Sequence, residues 1–247
     1  MNVILEIFFL SLIAGLATGI GGLIAVIRKP GKRLFGFLMG FAAGVMITLS
    51  FLELVNEAWK SCGYLWTTVG FSIGALFMSL IDFFIPHIRF EEKENVGHSK
   101  LISAGFLVAI GISIHNIPEG IAVGAGFMHL PKFGLFIAMA IALHNIPEGI
   151  ATALPLYKGG LSKWKSFRIA LYSGLVEPIG ALLAAFFLIP FSSLIPIALA
   201  FAAGVMVFIT LDELIPMARE YGHHHFTSMG IILGAIFVFL LSGIFGV

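Results

Sequence analysis

A chain of 247 residues that is 59% hydrophobic and 11% charged, with a mean hydropathy of +1.06, belongs mostly in lipid. Its net charge of +1 gives no reason to expect a nucleic-acid partner, and the single Cys62 excludes both an internal disulfide and a thiolate cage. Met1-Asn2 supplies no positive n-region and the apolar run that follows is too long, so no cleavable signal peptide is expected.

Charged and Gly/Pro clusters punctuate the apolar runs into eight segments, near 3–27, 34–56, 65–86, 101–128, 133–157, 167–190, 195–218 and 226–246. The expected fold is therefore all-α, a single polytopic membrane domain over 1–247 with eight transmembrane helices. Glu6 in the first segment and Asp82 in the third read as interfacial. Lys and Arg set the orientation. Arg28, Lys29, Lys32, Arg33, Arg89, Lys93, Lys100, Lys158, Lys163, Lys165, Arg168 and Arg219 follow odd-numbered segments, and only Lys60 and Lys132 lie on the other side. Positive loops stay in the cytoplasm, so both termini are expected outside it. Trp59, Trp66, Trp164 and His129 fit interface anchoring.

The second and seventh segments share a sequence. Phe41-Ala-Ala-Gly-Val-Met46 reappears as Phe201-Ala-Ala-Gly-Val-Met206, and the match resumes at Glu53-Leu54 and Glu213-Leu214. An odd number of crossings separates the copies, so they run in opposite directions. Segments one to three and six to eight then read as inverted halves around a central pair, a 3+2+3 arrangement that transporters use with a site at mid-membrane. Glu53 and Glu213, at equivalent positions on opposite sides, read equally as stations at the mouths of a path and as interfacial carboxylates.

The central pair carries the chemistry. His-Asn-Ile-Pro-Glu-Gly-Ile runs from His115 to Ile121 and again from His144 to Ile150. His115 with Glu119, and His144 with Glu148, are four residues apart and share a helix face. Pro118 and Pro147 cannot donate to the carbonyls of Ile114 and Leu143, which frees an oxygen at the same level. Glu177-Pro178 adds a carboxylate near the middle of segment six, while Asn116 and Asn145 add neutral oxygens. Ionisable groups at the centre of a bilayer are costly and usually line an ion path. Imidazole with carboxylate suits Zn²⁺, Fe²⁺, Mn²⁺, Co²⁺ or Cd²⁺, whereas an all-oxygen cage would favour Mg²⁺ or Ca²⁺.

Paired His-Asn-x-Pro-Glu-Gly motifs in spans four and five of an eight-span chain resemble the ZIP (Zrt/Irt-like) divalent-metal transporters, in particular the bacterial ZupT-type branch. The resemblance implies a binuclear site. His115, Glu119, His144 and Glu148 would form one half; Asn116, Asn145 and Glu177 would form the other, sharing Glu119 and Glu148. It further implies uptake across the cell membrane into the cytoplasm, a homodimer, a transported cation in place of a resident cofactor, and elevator-like motion. Spans one, four, five and six would move against two, three, seven and eight. Many eukaryotic members carry Asp in the first motif or His-Glu at the start of the second, and this chain has His-Asn and Glu in both, so their selectivity does not transfer.

Two other functions compete. An intramembrane metal-dependent hydrolase of the HExxH kind needs a glutamate directly after its first histidine, where Asn116 and Asn145 stand. A metal sensor or structural protein would not need inverted symmetry. No Walker motif supports direct ATP drive. His223, His224 and His225 form a tract between spans seven and eight that reads evenly as metal-binding and as solvated loop. His87 and His98 flank the loop after span three, whose segment Arg89 to Lys100 reads as flexible.

Overall fold

Inside hydrocarbon a backbone N–H or C=O finds no water, and a helix satisfies both within one segment. The computed structural model describes residues 3–84 and 98–247, and among these there are helices and no strands. His87, Arg89 and Lys93 lie outside the described residues, as do the side chains of His98 and Lys100.

The helices are α1 (Val3–Arg28), α2 (Lys32–Thr48), α3 (Asn56–Phe84), α4 (His98–His129), α5 (Pro131–Lys158), α6 (Lys163–Gly174), α7 (Glu177–Leu188), α8 (Ile195–Ile209), α9 (Ile215–Tyr221) and α10 (His224–Phe245). Seven helical stretches among the described residues are long and apolar enough to cross a membrane. One of them, Lys32–Phe84, runs for 53 residues and contains the second expected segment and the described part of the third. Its helical course is interrupted at Gly63, where φ is 78° and ψ is 170°. Large apolar side chains such as Ile13, Leu76, Phe83, Leu183 and Leu240 are exposed, as a lipid-facing surface requires.

The expected sixth span is not one helix. It breaks after Gly174 and restarts at Glu177, with Pro178 in the first turn of α7. Proline restricts the residue before it and removes one donor from the ladder, so the interruption falls beside the carboxylate that matters. Ser162 caps the N-terminus of α6 by accepting from the Lys165 N–H at 3.3 Å.

Both copies of the Phe-Ala-Ala-Gly-Val-Met repeat lead into a π-helical turn, Leu49–Val55 after α2 and Thr210–Leu214 after α8. Such turns are rare and cluster at functional places. The packing around the copies matches as well. A side chain on Gly70 would meet the Ile197 carbonyl, and one on Gly230 the Phe37 carbonyl. Gly74 stands against the Phe201 carbonyl and Gly234 against that of Phe41. Each pair becomes the other by one constant step along the chain.

The helices sort into two packed groups. α1, α4, α5, α6 and α7 lie mainly against one another, while α2 packs on α10 and α3 on α8. Contacts of α4 with α8 and of α2 with α5 join the groups. Small residues let backbones approach along these seams, as is usual between membrane helices. Glu53 and Asp82, both expected near the interface, are each only 8% exposed.

Candidate metal centre

Helices α4 and α5 remain continuous through Pro118 and Pro147 and cross where the two heptapeptides meet. His115, Asn116, Glu119, His144, Asn145, Glu148 and Glu177 are all buried, none more than 1% exposed. His144 Nε2 lies 3.1 Å from Glu119 Oε1. One ligand atom from each of Glu119, His144 and Glu148 falls within 4.8 Å of the others. The structure thus brings three of the four residues expected in the His-rich half together. The fourth, His115, turns elsewhere: its Nε2 is 3.2 Å from Glu213 Oε1. Gly111, one turn earlier on α4, leaves room for both groups, since a Cβ there would stand 4.0 Å from each side chain.

The asparagines divide their two ends. Asn116 Nδ2 donates to the Ser173 carbonyl at 2.8 Å, beside the break between α6 and α7. Asn145 Nδ2 donates to the Ala14 carbonyl of α1 at 3.1 Å and to Glu177 Oε2 at 2.9 Å. A backbone carbonyl can only accept, so these contacts fix which end of each amide is nitrogen. Both Oδ1 atoms are left without a hydrogen bond.

They are not alone. Apart from His115, whose Nε2 faces Glu213, each of these residues keeps at least one buried polar atom without a hydrogen bond, including Glu119 Oε2, Glu177 Oε1 and both oxygens of Glu148. Outside these residues the same condition holds, among the described residues, only for Thr18 Oγ1 and Ser50 Oγ. A buried acceptor without a partner costs roughly 1–3 kcal/mol, and an uncompensated charge far more. Oxygen and nitrogen donors that converge unpaired suit a borderline dication.

Two features escaped the sequence. The reach of Glu213 to His115 depends on the path of the π-helical turn that carries it, which no local pattern encodes. The break at Leu175–Val176 did leave a signal, Gly174 followed closely by Glu177-Pro178. His129, read as an interface anchor, also makes a specific contact, its Nε2 lying 2.9 Å from Glu57 Oε1.

Several bilayer-length apolar helices and a buried set of imidazole, carboxylate and amide donors define a multi-pass membrane protein with a candidate cation site. Comparison with known proteins narrows that class. The profile of the family described as "ZIP Zinc transporter" matches residues 91–242. The chain is 40% identical to the zinc transporter ZupT of Akkermansia muciniphila, over 94% of this chain and 95% of that protein. It is 42% identical to the ZupT of Corynebacterium efficiens, covering 92% of each chain, and 41% identical to that of Streptococcus mutans serotype c, covering 93% of each. The protein belongs to the ZIP family of zinc transporters. These are transporters and not enzymes, so the hydrolase alternative finds no support.

Proposed function

We propose that the protein imports divalent transition-metal cations into the cytoplasm, Zn²⁺ foremost, with Fe²⁺, Mn²⁺, Co²⁺ and Cd²⁺ as candidates. One observation carries the reading. Six residues from α4, α5 and α7, namely Asn116, Glu119, His144, Asn145, Glu148 and Glu177, keep buried ligand atoms unpaired, and a cation is the partner that their chemistry lacks. The curated relatives named zinc transporter ZupT support Zn²⁺ as the cargo.

The site is read as binuclear. Glu119, His144 and Glu148, with His115 when it leaves Glu213, would hold one cation. Asn116, Asn145 and Glu177 would hold the second, with Glu119 and Glu148 bridging. Glu177 accepts from the Asn145 amide, which ties it to the asparagine half of the site. Two dications a few ångströms apart repel in a low dielectric, and bridging carboxylates offset that repulsion.

The architecture is read as eight spans in a 3+2+3 order. A 53-residue helix would extend about 80 Å at 1.5 Å per residue, far beyond a hydrocarbon core of about 30 Å. The interruption at Gly63 lets the stretch cross twice. The matched glycine seams and paired π-helical turns support inverted halves within one domain. The two packed groups of helices correspond to a mobile bundle of α1, α4, α5, α6 and α7 and a framework of α2, α3, α8 and α10. An elevator-like cycle, a homodimer in the cell membrane and termini outside the cytoplasm complete the reading. The first two rest on family resemblance, the last on the Lys/Arg asymmetry.

Metal uptake into proteoliposomes, with a peptide-cleavage control, tests the function. Elemental analysis of Glu119→Gln, Glu148→Gln and Glu177→Gln tests the site. Loss of either bridge should impair both halves and nearly abolish flux, whereas Glu177→Gln should lose one bound metal and keep the other. Two metals retained by Glu119→Gln, or none by Glu177→Gln, would overturn the assignment.

A further inference from the structure

Before α10 the chain places two histidines side by side on the surface. In a helix, residues two apart point to nearly opposite faces. His223 escapes that rule because it is the N-cap of α10, with φ −133° and ψ 124°, while His225 is already inside the helix. The extended residue swings its imidazole alongside that of His225, so that the ring centres are 5.7 Å apart with planes inclined by 38°. Both side chains, and that of His224, are exposed.

That spacing has chemical content. With metal–nitrogen bonds of about 2.1 Å and a tetrahedral angle, two imidazoles on one cation hold their ring centres roughly 5–6 Å apart. The backbone beneath them is also fixed. The His223 carbonyl accepts from the Thr227 N–H at 2.9 Å, and Thr227 Oγ1 donates to the Ala218 carbonyl at 2.9 Å. Phe226 stands edge-on to His223, its ring centre 5.4 Å away. The Arg33 guanidinium lies over the Phe226 ring, 5.8 Å from its centre. A Cβ on Gly36 of α2 would come within 2.7 Å of the His223 nitrogen, so the turn is seated on α2 near Lys32 and Arg33.

We infer that His223 and His225 form a surface site for one divalent transition-metal cation, with two imidazole ligands and water completing the shell, distinct from the buried centre. Imidazole favours Zn²⁺, Ni²⁺ and Cu²⁺ over Mg²⁺ or Ca²⁺. In the orientation proposed above, the site faces the cytoplasm, on the side where imported cation emerges. The inference does not require transport, because surface binding is read by equilibrium and uptake by flux.

The test uses the full-length protein in detergent, with Zn²⁺ alone as probe and bound equivalents counted by equilibrium dialysis. The variants are His223→Ala, His225→Ala and His224→Ala, with His223→Gln and His225→Gln as milder replacements. Wild type and His224→Ala should bind one Zn²⁺ equivalent more than any variant at 223 or 225. A residual affinity at the surface site weaker by at least about tenfold counts as that loss. A thermal unfolding transition like that of the wild type in the same detergent establishes that each variant is folded. Equal binding by all the chains would overturn the inference. So would an equal loss in His224→Ala, which would mark an undifferentiated histidine tract.

Discussion

Glu213 Oε1 stands 3.2 Å from His115 Nε2, joining the π-helical turn after α8 to the first metal-motif histidine on α4. The contact crosses between the two packed groups of helices. It sets a carboxylate from the framework against a ligand of the proposed mobile bundle. Because His115 must leave Glu213 to join the cation, Glu213→Gln should strengthen cation binding by up to about tenfold, some 1.4 kcal/mol. The effect stays small because Glu213 is partly exposed and the contact is a full charge pair only when His115 is protonated. Zn²⁺ affinity of the purified variant measures this. An unchanged affinity would remove Glu213 from any part in the site.

Proton and cation compete for the same imidazole lone pairs. A histidine must be neutral to donate to a metal, and its reference pKa is about 6.5. Metal affinity should therefore be full above that region and fall as the pH drops through it. Titrations in mildly alkaline and clearly acidic buffers test the sign. Equal affinities would exclude His115 and His144 as ligands.

The glycine seams should tolerate no side chain. A Cβ on Gly234 would meet the Phe41 carbonyl and come within 2.9 Å of the Val45 nitrogen. Gly234→Ala should thus destabilise by about 1–3 kcal/mol, a typical overpacking penalty. Gly243 has nothing within 4 Å, and Gly243→Ala should be neutral or stabilising by up to about 1 kcal/mol. Thermal unfolding of the two variants in one detergent should shift in opposite directions or, at the least, by clearly unequal amounts.

Orientation is open to a direct measurement. A C-terminal fusion to a reporter that works only outside the cytoplasm should be active, and one that works only inside should be silent. The reverse pattern would overturn the proposed placement of the termini.

Much of the centre was legible because its logic is local. His115 and Glu119, like His144 and Glu148, are one helical turn apart, and that spacing alone puts each pair on one face. Glu177 stood out as a carboxylate inside an apolar run, and the structure brings it to Asn145. What stayed hidden depends on contacts between distant segments. The carbonyls of Ala14 and Ser173, which hold the asparagine nitrogens so that their oxygens stay unpaired, carry no side-chain signature at all. The approach of Glu213 needed the π-helical register, and the burial of Glu53 and Asp82 needed the packing of neighbouring helices. Family membership entered through the paired motif, and comparison with whole relatives then supported it along most of the chain.

Gly63 makes a demand of handedness, not of space. Nothing lies within 4 Å of where its Cβ would be, yet its φ of 78° with ψ of 170° belongs to a region that L-residues scarcely visit. An L-alanine there should cost of order 1–3 kcal/mol through backbone strain alone. A D-alanine, introduced by chemical ligation, has the mirror-image preference and should be accepted without loss. The reversal between the second and third proposed spans thus rests on one achiral residue, and a change of stereochemistry at that carbon would distinguish strain from crowding.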